Sequence, residues 1–278
     1  MSTSDPLFQR TLVKVVRQNP HLFGGTKRCS DSPPDDHTWT GLPVIFDEVF
    51  TGLYRLGRFS AASFLGVDAD ISVHAKLLTG GLVPLSVTLA SESIFQAFES
   101  DDKSDALLHG HSYTAHAVGC QVAVQSIREM QKMDHRGDWE WARSAHAESE
   151  IKTASQEVSH KSKSIVWSAW SPEFVLWVGE LPATLVGGVW ALGTVLTIRM
   201  ASIDGTEGYK GGAARALHTA LLESQPCAES GSGSELQWNV HTRVLGNTLY
   251  VMAGQKTSQG SIKMLETRLR EALLKVQG

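Results

Sequence analysis

Apolar residues at Phe8, Leu12, Val15 and Val16 recur at helical spacing and predict a helix running to about Gln18. Asp5 precedes it as a capping residue, Pro6 takes the first helical position, and Asn19-Pro20 stops it. The pattern then changes. An apolar run from Pro43 to Phe46 ends abruptly in Asp47-Glu48, and a second, Ala69 to Val73, ends in His74-Ala75-Lys76 before Thr79-Gly80-Gly81. Both predict strands of a parallel sheet with a charged residue at each C-terminal tip. Ligands of open α/β sheets bind at such tips, so Asp47 and Lys76 are candidates to face one crevice. Taken singly, each is an ordinary exposed charge in a loop.

Further on, Val83 to Leu89 alternates enough for another strand, and Ser91 is placed to cap a short helix. Ala115 to Met133 has helical spacing, and residues 134–164 turn polar, as expected of a solvated insertion or an extended helix. Trp167, Trp170 and Trp177 read as packing anchors. Ser171 with Pro172 predicts a helix to about Leu181, and the β-branched run Val189 to Met200 predicts a strand. Gly211 to Ser224 is helical, and residues 225–235 are a flexible loop. Ile262, Leu265, Leu269 and Leu273 mark a closing amphipathic helix over Ser261 to Lys275. The polar, Pro- and Gly-rich stretch 23–41 reads as a surface insertion.

Composition narrows the class. Of 278 residues, 42% are hydrophobic and 19% charged, enough apolar mass for a core. A net charge of −4 gives no reason to expect a nucleic-acid partner or an anionic membrane surface. Cys29, Cys120 and Cys227 lack metal or disulfide spacing and suggest free thiols in a reducing compartment. No stretch is long and apolar enough to span a bilayer, and the first residues lack the pattern of a transit peptide.

A lysine amine forms a Schiff base with a carbonyl compound or with pyridoxal phosphate. That cofactor also needs a carboxylate at its ring nitrogen to keep the pyridinium protonated. Lys76 and Asp47 suit those two parts, and Gly80-Gly81 suits a backbone passing close to a bulky ligand. In residues 109–120, His109, His111 and His116 invite a metal reading, but no fourth ligand stands at a familiar spacing. Arg243 carries a guanidinium fork that matches a carboxylate, or is a surface arginine on a hairpin.

Phe46-Asp47-Glu48-Val49-Phe50-Thr51-Gly52, then Arg55-Leu56-Gly57, then Ala75-Lys76-Leu77-Leu78-Thr79-Gly80-Gly81 resembles the class III pyridoxal-phosphate aminotransferases. The chain is most similar to the 7,8-diaminopelargonate (adenosylmethionine–8-amino-7-oxononanoate) aminotransferases of biotin synthesis, as found in eukaryotic bifunctional dethiobiotin synthetase/aminotransferases. The resemblance implies Lys76 and Asp47 as catalytic residues, with Val49, His111 and Ser112 also at the cofactor. Ser112 takes the position of the family's threonine, which bonds the cofactor phosphate of the neighbouring subunit. Gly110 matches a glycine near the substrate, and Arg243 the arginine that binds the oxononanoate carboxylate. Arg55 matches a position at the site entrance, with substrate contact and a structural salt bridge both open.

The fold so implied is α/β: a partial large domain of the fold type I pyridoxal-phosphate transferases, with a mixed, mostly parallel sheet over 1–165, and a small α+β C-terminal domain over 166–278. The implied partners are 8-amino-7-oxononanoate, adenosylmethionine as amino donor, and a second copy in a homodimer, in mitochondria or cytoplasm. The resemblance spans about the second half of the family's length, without its phosphate-binding glycine/serine loop. The chain is thus expected to be a fragment, a truncated product or a split subunit. A catalytically silent partner subunit is the alternative to an active transaminase.

Overall fold

The computed structural model describes residues 5–23, 42–107, 110–153, 166–202, 205–206, 208–223, 225–226 and 237–277. By its contacts the chain divides into two units, Ser2–Lys132 and Met133–Gly278.

In the first unit, helix α1 (Pro6–Gln18) begins as the sequence predicts: the Asp5 carboxylate accepts from Leu7 N at 2.7 Å and Phe8 N at 3.4 Å. Near its end Arg17 donates to the Asp70 carboxylate at 3.1 Å and to the Asp68 carbonyl. Asp70 is buried and also accepts from Val44 N at 2.7 Å. One acid therefore ties α1 to the entrances of strands β1 (Ile45–Asp47) and β2 (Ile71–His74). These strands are parallel, with Asp47 opposite Val73. Strand β3 (Val87–Ala90) pairs antiparallel with β2, so the sheet is mixed in the order β1-β2-β3. The alternation from Val83 predicts an earlier start; Pro84, with no N–H to give to a ladder, stands in that stretch. Helix α2 (Glu92–Gln96) follows Ser91, and helix α3 (Ala117–Arg136) runs on past the division between units.

The second unit begins with the end of α3 and helix α4 (Glu140–Thr153). Residues 134–164 are thus not uniformly solvated: Trp139 and Ala142 are buried, Trp139 stacks on Trp167 at 5.7 Å, and its Nε1 donates to the Gln255 carbonyl at 3.0 Å. These residues, which the sequence assigns to the large domain, pack within this unit. Helix α5 (Pro172–Gly179) is capped by Ser171, whose hydroxyl accepts from Phe174 N at 3.3 Å. The run from Val189 is not one strand but a hairpin of β4 (Val186–Leu192) and β5 (Val195–Met200). Gly193, at φ +55°, opens its two-residue turn, a backbone state favoured by glycine. After helix α6 (Ala214–Leu222) come β6 (Gln225–Pro226) and β7 (Gln237–Trp238), which pair antiparallel. Strands β8 (Arg243–Leu245) and β9 (Thr248–Met252) complete an antiparallel sheet in the order β4-β5-β9-β8, and helix α7 (Gln259–Gln277) closes the chain. The core here is dense: Trp170, Phe174, Leu196, Ile198, Leu217 and Leu269 are fully buried.

Residues 24–41 of the expected insertion and 227–235 of the loop expected at 225–235 lie outside the described residues, as do Cys29 and Cys227, while 225–226 form β6 instead of loop; Cys120 is a free, exposed thiol. No described helix is long and apolar enough to cross a membrane.

Candidate active site at the tips of two parallel strands

At the end of β1 the chain turns sharply. Asp47 is exposed, and its Oδ1 accepts from Val49 N at 3.0 Å, the local turn that aspartate favours. Among the described residues nothing else bonds this carboxylate. Glu48 N continues the ladder for one more step, donating to Val73 O at 3.0 Å.

The neighbouring tip is held more tightly. After His74 the chain enters a 3-10 turn, Lys76–Leu78, with Lys76 in the left-handed region at φ +48°. That conformation costs a non-glycine residue roughly 1–2 kcal/mol and persists only where its surroundings enforce it. Here they do. Gly80 N donates to Lys76 O at 2.9 Å, Leu78 and Thr79 are buried, and Thr79 Oγ1 donates to Val83 O at 2.7 Å. From α3, Ser126 Oγ donates to Leu77 O at 2.8 Å. The Lys76 side chain itself is exposed, and its amine has no ion-pair or hydrogen-bond partner among the described residues. Side chains built on Gly80 or Gly81 would meet nothing within 4 Å, so space beside the lysine is open. An exposed carboxylate at one strand end and an exposed amine just past the end of its parallel neighbour suit a ligand with an electrophilic carbon and a cationic ring nitrogen.

Arg55 is placed differently. It lies in the loop between β1 and β2, 8% exposed, with its guanidinium 5.5 Å from the Phe50 ring centre. Burial holds its pKa below the usual arginine value. Leu53 and Tyr54 beside it are both left-handed, at φ +57° and +64°, and both buried.

Gly110, His111 and Ser112 form an exposed turn ahead of α3. His111 N donates to Thr114 Oγ1 at 2.9 Å and Tyr113 N to His111 Nδ1 at 3.1 Å, while Gly119 N donates to His116 Nδ1 at 3.2 Å. Among the described residues the Ser112 hydroxyl has no partner. His109 lies outside those residues, among which no three His, Cys, Asp or Glu side chains gather as metal ligands.

Arg243 belongs to the second unit and opens β8 itself, opposite Tyr250, rather than lying between two strands. It is exposed, with no bonding partner among the described residues. Its hairpin is fixed by Asn247, whose amide donates to Thr206 O at 2.8 Å and accepts from Ala213 N at 3.1 Å.

The sequence passes over the residues that hold the tips in place. Glu48 is 4% exposed and accepts from Ser60 Oγ at 2.6 Å, Ala61 N at 2.9 Å and Ala62 N at 3.0 Å. Its place directly after Asp47 is the one signal of this; Ser126 gives none.

Residues 40–166 match the class-III aminotransferase family model. The chain is 50% identical over 270 residues to a bifunctional dethiobiotin synthetase/adenosylmethionine-8-amino-7-oxononanoate aminotransferase of Emericella nidulans, covering 97% of this chain and 32% of that one. A rice bifunctional dethiobiotin synthetase/7,8-diamino-pelargonic acid aminotransferase, described as mitochondrial, is 36% identical over 276 residues, covering 99% of this chain and 27% of the other. The chain thus spans about a third of the length of these relatives. Among solved structures, a transaminase with L-alanine superposes with a TM-score of 0.61 at 18% identity, over 85% of this chain and 47% of the other. The adenosylmethionine-8-amino-7-oxononanoate aminotransferase of Methanocaldococcus jannaschii gives 0.57 at 22%, over 83% and 45%. The fold is that of the transaminases.

Proposed function

We propose, for a chain that belongs to the class III aminotransferases, that it carries out pyridoxal-phosphate-dependent transamination in biotin synthesis, converting 8-amino-7-oxononanoate to 7,8-diaminononanoate with adenosylmethionine as amino donor. The observation that carries this is that Asp47 ends one strand and Lys76 stands just past the end of its parallel neighbour, both exposed, with the Lys76 amine lacking a bonding partner among the described residues.

Pyridoxal phosphate, when bound, supplies an aldehyde that exchanges amino groups and a pyridinium ring that takes up electrons. Lys76 would hold it through the amine and would move the proton at the substrate carbon. Asp47 holds the proton on the ring nitrogen, and Val49 gives the ring an apolar neighbour. Ser112 and His111 stand on an exposed turn before a long helix, where the Ser112 hydroxyl, without a partner among the described residues, suits a phosphate. Their outward placement supports donation to the cofactor of a second copy in a homodimer, with Gly110 leaving room for substrate. Arg243 takes the substrate carboxylate through its fork. Arg55, buried against the Phe50 ring, would pack the loop between the two strands. A mitochondrial location is supported by the rice relative's name.

The test is a cofactor spectrum. The purified chain with pyridoxal phosphate should turn yellow, borohydride should fix the label on Lys76, and Lys76→Ala should abolish both. A chain that never colours, or a label on another lysine, overturns the reading and favours a silent subunit.

A further inference from the structure

We propose that Glu48 is a positioning residue that fixes how Asp47 is presented to the cofactor ring; this role presupposes the aminotransferase reading above. Two adjacent carboxylates meet opposite environments: Asp47 is exposed, whereas Glu48 is buried and takes three donors from the 60–62 segment. Three donors on one buried carboxylate make it expensive to displace.

What Glu48 closes is a loop from 48 to 62 under local strain. Within it Gly52 N donates to Glu48 O at 3.1 Å, Leu53 N to Phe59 O at 2.7 Å, and Tyr54 N to Arg58 O at 2.9 Å. Leu53 and Tyr54, both left-handed, are held by this closure. The bond that orients Asp47, from Val49 N to Oδ1, lies one residue inside the same loop. The peptide that sets the Asp47 side chain is thus the one next to the residue whose carboxylate closes the loop.

The junction also reaches the lysine's strand. A side chain on Gly52 would fall 3.0 Å from Glu48 O, from Glu48 Oε2 and from His74 Nδ1. His74 ends β2, two residues before Lys76, and its buried Nδ1 has no hydrogen-bond partner among the described residues. Glu48, Gly52 and His74 thus pack the two tips against each other, with no room for a methyl group between them. Glu48 does not touch the ligand; it acts through Asp47.

Amide hydrogen exchange of the cofactor-free chain tests this directly, comparing wild type with Glu48→Gln and the milder Ser60→Ala. Glu48→Gln should speed exchange at Ala61 and Ala62 by about tenfold and, with them, at Val49, whose N–H reports the Asp47 orientation. Ser60→Ala should move the same amides less. With pyridoxal phosphate bound, Glu48→Gln should lower the pH at which the ring nitrogen loses its proton, read from absorbance, while borohydride still labels Lys76. Faster exchange at Ala61 and Ala62 with Val49 unchanged in both variants, or an unmoved ring titration, overturns the proposal. Failure of the wild type to bind the cofactor overturns the aminotransferase reading instead, and the Val49 amide still decides whether Glu48 orients Asp47.

Discussion

The Ser126 hydroxyl donates to the Leu77 carbonyl at 2.8 Å, tying a long helix to the turn that carries Lys76. One side-chain bond thus links two segments 49 residues apart. Ser126→Ala should cost about 1 kcal/mol of stability, the usual net worth of such a bond, visible as a lower urea midpoint at unchanged slope. Labelling of Lys76 by borohydride should become slower but stay on the same residue.

Lys76 itself is strained. Glycine adopts φ +48° without the penalty a lysine meets, so Lys76→Gly should raise the stability of the cofactor-free chain by about 1 kcal/mol. The same change should abolish cofactor trapping. A rise in melting temperature together with loss of yellow colour would mark the lysine as kept for chemistry at the expense of stability. Lys76→Ala, which keeps a Cβ in the left-handed state, should lose the colour without that gain.

How much of this was legible in the chain depends on the range of the forces involved. Local rules placed the helix starting at Asp5-Pro6 and the one after Ser171, because caps act over three or four residues. The abrupt switch from apolar to charged marked the ends of β1 and β2, since an interior strand end has to surface there. Two errors came from turn chemistry and long-range packing. Gly193 splits what reads as one strand, because a positive φ leaves no trace in hydrophobicity. Trp139 and Ala142 are buried in a stretch read as solvated, because their partners lie far along the chain. The positions of Asp47 and Lys76 beside strand ends were legible in the switch from apolar to charged; the buried Glu48 and the Ser126 tie were not, since each depends on partners more than ten residues away.

The second unit carries a pH-sensitive contact. Glu266 accepts from Ser171 N at 2.6 Å and from Ser171 Oγ at 2.9 Å, yet burial raises its pKa above the ordinary 4.5. The folded state therefore binds this proton more tightly than the unfolded chain does. Its contribution favours folding below the ordinary carboxylate pKa and is lost as pH rises through the raised folded value. Glu266→Gln removes the titration while keeping one acceptor for Ser171. Relative to that variant, the wild type should lose stability as pH climbs above about 4.5 and level off once the folded group has ionised. Melting temperatures of both proteins over that range check the direction.

Arg243 gives a test that separates binding from folding. It is exposed at the start of β8, and its guanidinium has no bonding partner among the described residues, so the fold makes little use of it. Arg243→Lys keeps the charge but replaces a two-pronged fork by a single point donor. Stability should stay within about 0.5 kcal/mol of wild type, as for surface changes generally. Losing one arm of a charge-assisted pair should weaken binding of the oxo-acid by about tenfold or more, seen as a higher KM at similar kcat. Adenosylmethionine carries a carboxylate too, so the amino-donor half-reaction tells whether the fork is reserved for the acceptor. A loss confined to the oxo-acid half means that Arg243 selects that substrate, and equal loss in both halves means that it grips either carboxylate in turn or supports the site as a whole.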